Sequence, residues 1–63
     1  MITLHKLLNI MATDCEVEIL DEESFNVLIY GYNYEIKLPE YLKEAYVTHF
    51  TPGIVTKIFI KFL

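Results

Sequence analysis

The chain has no Arg and no Trp, and a single Cys and a single Ser, among its 63 residues, with two Gly and two Pro. Each scarcity closes a class of function. One Cys cannot form an intrachain disulfide, which excludes a disulfide-stapled secreted scaffold. Without Arg, and with its two glycines far apart, the chain lacks both bidentate phosphate forks and glycine-rich phosphate loops. Five Lys against nine acids give a net charge of −4, so direct nucleic-acid binding is not expected. Long apolar runs are missing too. The longest, Ile54 to Leu63, is broken by Lys57 and Lys61 and is too short for a bilayer. The opening segment is interrupted at Asn9 and no small-residue cleavage pattern follows it. The expectation is a soluble, cytoplasmic protein with Cys15 reduced and no membrane partner.

What is present is apolar. Hydrophobic residues make up 54% of the chain and nine residues are aromatic, far from a disordered composition. A core this small barely offsets the conformational entropy of ordering the chain. With no disulfide or recognisable metal site to help, a partner surface is the natural remedy. A homodimer or a complex with another protein is expected.

The periodicity is helical first. Leu4, Leu7, Leu8 and Met11 fall at i, i+3, i+4 and i+7, and Thr3 is a good N-cap, so Ile2 to Met11 reads as a short amphipathic helix. Ala12, Thr13 and Asp14 end it. The period then drops to two. Cys15, Val17 and Ile19 alternate with Glu16 and Glu18, Asp21 to Ser24 form a polar turn, and Phe25, Val27 and Ile29 resume the alternation as a hairpin. Gly31 marks a bend or bulge. Tyr32, Tyr34, Ile36 and Leu38 alternate as a third strand. Pro39 at a first helical position opens one or two turns through Glu44. Ala45 to Phe50 reads as a fourth strand, Thr51 to Gly53 as a turn, and Ile54 to Leu63 as a fifth strand. The expected fold is a single α+β domain over residues 1–63, an N-terminal helix packed on a small, mostly antiparallel sheet of four or five short strands.

The layout Thr3-Leu4-x-x-Leu7-Leu8, then Val17-x-Ile19-x-Asp21, a hairpin closing at Gly31 and a terminal strand, resembles certain short uncharacterised proteins. Those are encoded by phages and mobile elements of Gram-positive bacteria. The resemblance implies no catalytic motif. It implies a setting in which small proteins bind and modulate host proteins, defence systems among them.

Candidate chemistry is sparse. His5, His49 and Cys15 stand at no zinc spacing, and the acids lack the pattern of a calcium loop, so no metal or cofactor is expected. Cys15 shares its phase with Val17 and Ile19 and reads as a small hydrophobe. Ser24 sits in a turn, and no triad logic links it to a base, so an enzyme is not expected.

Two features remain. Asp14, Glu16, Glu18, Asp21, Glu22 and Glu23 place six acids in ten residues with no base among them. They read either as a solvated, solubilising hairpin or as a patch that steers onto a basic protein surface. Tyr30, Tyr32 and Tyr34, with Val55 and Phe59, form the candidate interface, because Tyr combines apolar area with a hydroxyl. The leading expectation is a non-enzymatic protein that binds a host protein, in its most specific form an inhibitor of a defence system. A self-associating structural module and a small-ligand sensor are the alternatives.

Overall fold

The computed structural model describes residues 2–11 and 14–62. The element order is α1 (Leu4–Ile10), β1 (Glu16–Asp21), β2 (Val27–Tyr32), α2 (Glu40–Lys43), β3 (Tyr46–Thr51) and β4 (Val55–Lys61). The four strands make one sheet in the order β2-β1-β4-β3. The outer pairs, β1 with β2 and β3 with β4, are antiparallel, and the central pair, β1 with β4, is parallel. The architecture is α+β, as the period change from helix to strand implies, and the sheet is mixed.

Thr3 caps α1 as expected, its hydroxyl oxygen accepting the Lys6 N–H at 3.3 Å. The stripe of Leu4, Leu7, Leu8 and Met11 packs on one face of the sheet. There it meets Val17 and Ile19 of β1 and Ile58 and Ile60 of β4, all fully buried. Leu42 of α2 and Ala45 complete this core. Pro39 is the N-cap of α2 and Glu40 its first helical residue, one position later than expected. Ala12 and Thr13, expected to end the first helix, and Leu63, expected to end the last strand, lie outside the described residues.

Three local expectations are corrected. The alternation from Tyr32 to Leu38 is not a strand. Asn33 is bound at both ends to Cys15: its N–H donates to the Cys15 carbonyl at 3.0 Å, and its Oδ1 accepts the Cys15 N–H at 3.2 Å. The Glu35 and Ile36 N–H groups then both donate to the Tyr32 carbonyl, so the chain turns off the sheet just where period-two patterning continues. Gly31 is not a bulge but a regular β2 residue opposite Val17, and its missing side chain makes room for Ile36. The irregularity lies earlier, where Ile19 pairs with Ile29 but Leu20 pairs with Val27 and Leu28 is left over. Phe25 precedes β2 and does not extend it. It adopts φ 59, a left-handed conformation that closes the turn, with its N–H donating to the Asp21 carbonyl at 2.8 Å.

Candidate functional site

Both helices pack on one face of the sheet, which leaves the other face uncovered. The strand register assigns its residues in rows. Tyr32, Glu16 and Val55 lie side by side across β2, β1 and β4. The next row is Tyr30, Glu18, Lys57 and Thr51, and the third is Val27, Leu20, Phe59 and His49. Four of the five candidate interface residues, Tyr30, Tyr32, Val55 and Phe59, thus share one surface. The fifth, Tyr34, sits in the turn after β2 and stacks on Tyr32, ring centroids 5.5 Å apart.

The six acids are not one patch. Glu16 and Glu18 project from the middle of the open face, half-buried between the tyrosines on one side and Val55 and Lys57 on the other. Asp14 lies before one end of β1, and Asp21, Glu22 and Glu23 lie at its other end, about 20 Å away at the strand rise. Asp21 has a local task, its carboxylate accepting the Glu23 N–H at 3.0 Å to shape the turn. The Glu22 N–H donates to the Ile60 carbonyl and ties the turn to β4. Charge and aromatic area, separate in the sequence, meet at Glu16 and Glu18.

The electrostatics follow from this mixing. The Tyr30 hydroxyl donates a short hydrogen bond to Glu16 Oε2. That bond raises the phenol above its ordinary tyrosine value, with desolvation and the Glu16 and Glu18 charges adding to it. Tyr34 is also raised, first by desolvation and then by the charges of Glu35 and Asp14.

At the far end of the face Phe59 is the centre of an aromatic group. The His49 ring stacks on it at 4.3 Å, and the Phe25 ring meets it edge-on at 5.9 Å. The left-handed backbone at Phe25 costs about 1–2 kcal/mol for an L residue, and it sets an exposed ring against Phe59. Phe25, His49 and Lys57 lie on this face as well, although none was among the candidate interface residues, and Leu20 shares its third row but is buried. The signal for Leu20 was its phase, since it continues the Glu16, Glu18 alternation with an apolar residue. His49 joins through the β3 and β4 hairpin, while Lys57 comes beside Glu18 through pairing between distant segments, which leaves no local trace.

Depressions open on the helix side. One of about 430 Å³ is apolar, with Leu7, Ile10, Met11, Cys15 and Phe50 in its walls. Another, about 380 Å³, is lined by His5, Asn9, Asn33, Tyr34 and Lys43 among others. Among the described residues no group of three or more His, Cys, Asp and Glu could hold a metal ion. Nor is any of their helices long and apolar enough to cross a membrane.

Comparison with protein-family models, with curated proteins and with solved structures finds no match.

Proposed function

We propose that this chain is a non-catalytic binding module that engages another protein through the open face of its sheet. The observation that carries the reading is the composition of that face: Tyr30, Tyr32, Val55 and Phe59 surround Glu16 and Glu18 on a surface that the helices leave bare. Tyr and Phe are enriched at protein interfaces while acids are depleted from their centres, so carboxylates in the middle of such a face call for a partner that supplies the matching cations. The two central acids select a partner with basic groups, and the aromatic rim excludes water from the charged contact. Tyr30 is already oriented by Glu16, which lowers the cost of ordering it on binding.

In the setting implied by the resemblance to phage and mobile-element proteins, the partner is a host protein. Modulation of that protein by occupancy is the activity, and a component of a defence system is its most specific form. The test is affinity capture from a Gram-positive bacterial lysate at low and high salt. A stoichiometric protein held at low salt and released at high salt is expected. A capture that is indifferent to salt would count against an acid-centred interface.

A further inference from the structure

The two edges of the sheet are unlike. On β3 the outer edge is occupied at its start: the Val47 N–H donates to the Ile2 carbonyl at 2.9 Å, and the Leu4 N–H to the Ala45 carbonyl, just before the strand, at 2.8 Å. Thr3 bridges Tyr46, the register shifts at Thr48, and Pro52 follows the strand. These are the devices that keep a strand edge from pairing. The β2 edge has few of them. Its sequence, Val27-Leu28-Ile29-Tyr30-Gly31-Tyr32, has no Lys, no Pro and no charged residue, and among the described residues no strand pairs with its outer side.

The ladder fixes which groups face outward. Cys15 and Asn33 form a hydrogen-bonded pair, so alternation makes Val17 with Gly31 and Ile19 with Ile29 hydrogen-bonded pairs as well. The N–H and C=O of Tyr30 and the N–H of Tyr32 then aim away from β1. The Tyr32 carbonyl is taken by Glu35 and Ile36, and the extra residue Leu28 interrupts the strand at its other end. A short, uncharged, regular pairing window centred on Tyr30 remains.

We propose that β2 pairs antiparallel with β2 of a second copy of this chain, across a two-fold axis at Tyr30, so that the two sheets become one continuous sheet. The occupant is a second copy for two reasons. An uncharged strand paired with itself sets no like charges opposite one another, although the chain as a whole carries −4. The β3 edge, covered at its start, irregular at Thr48 and followed by Pro52, matches β2 less well than a second β2 does, so the assembly closes at two copies, whereas β2-to-β3 pairing would propagate as an open filament. The window is short, so the dimer is weak and concentration-dependent. Pairing at the edge leaves both open faces free and side by side, and the inference is independent of what those faces bind.

The test is sedimentation equilibrium on the full 63-residue chain, made by chemical synthesis with and without N-methylation at Tyr30. N-methylation removes the outward N–H and keeps the side chain. The unmodified chain is expected to rise with concentration from 7.4 kDa towards twice that mass, and the methylated chain to stay at 7.4 kDa with an unchanged circular dichroism spectrum. If methylation impairs folding, Tyr30→Lys serves in its place. It sets two like charges together at the axis and weakens the dimer about fivefold. Phe59→Glu, on the face, leaves the dimer intact. A constant 7.4 kDa for the unmodified chain, growth beyond a dimer, or a dimer lost in Phe59→Glu but kept after N-methylation would each overturn the proposal.

Discussion

The Tyr30 hydroxyl donates its hydrogen bond diagonally across the β1 and β2 ladder to Glu16 Oε2, so one of the two central acids of the open face is already engaged. Glu18, directly opposite Tyr30 in the register, also has Lys57 beside it on β4. The face therefore presents two carboxylates in different states of preparation, ringed by aromatic side chains.

The first prediction concerns that bond. Tyr30 is raised above the ordinary tyrosine value, chiefly because Glu16 accepts from its neutral form. A group whose folded value is raised contributes stability that is full below its unfolded value, near pH 10, and is lost as pH climbs through the folded value. Glu16→Gln removes the charged acceptor and should move the Tyr30 titration down towards the ordinary value. Ring-carbon NMR of the tyrosines across alkaline pH reads this directly. A Tyr30 titration unaffected by Glu16→Gln would contradict the assignment of its cause.

The turn makes a second prediction. Phe25 stands at φ 59, where any Cβ is strained and glycine is not. Phe25→Gly should therefore be more stable than Phe25→Ala by about 1 kcal/mol, the reverse of the order in an ordinary strand. Urea denaturation of the two variants decides it. Greater stability of the alanine variant would show that the left-handed turn does not hold in solution.

Adjacent residues on opposite faces give the third. Ile58 is fully buried under the helices and Phe59 lies on the bare face. Ile58→Ala should cost about 2–5 kcal/mol, enough to unfold much of a domain this small. Phe59→Ala should cost clearly less. Equal losses in thermal or urea melts would mean that the face is covered.

Much of this arrangement was legible from periodicity alone. The stripe Leu4, Leu7, Leu8, Met11 marks the helix, Val17 and Ile19 mark the buried side of β1, and Pro39 with Glu40 marks the short helix. The false strand from Tyr32 to Leu38 shows the limit. Its alternation is real, but the bonds between Asn33 and Cys15 and the two donors on the Tyr32 carbonyl turn the chain first. The site was legible in pieces. Tyr30, Tyr32, Val55 and Phe59 were picked out together as a candidate surface, yet their placement on one face with Glu16 and Glu18 depends on parallel pairing of β1 with β4, some forty residues apart in the chain. That pairing is a tertiary event, and local patterning does not encode it.

The measurement that tests the central claim most directly compares two charge-removing pairs in the same low-salt capture. Glu16→Gln with Glu18→Gln alters the middle of the open face, and Glu22→Gln with Glu23→Gln alters the turn and removes the same charge. The account predicts that the captured protein is lost with the first pair and retained with the second. Loss with the turn pair and retention with the face pair would contradict it and move the binding surface to the hairpin tip.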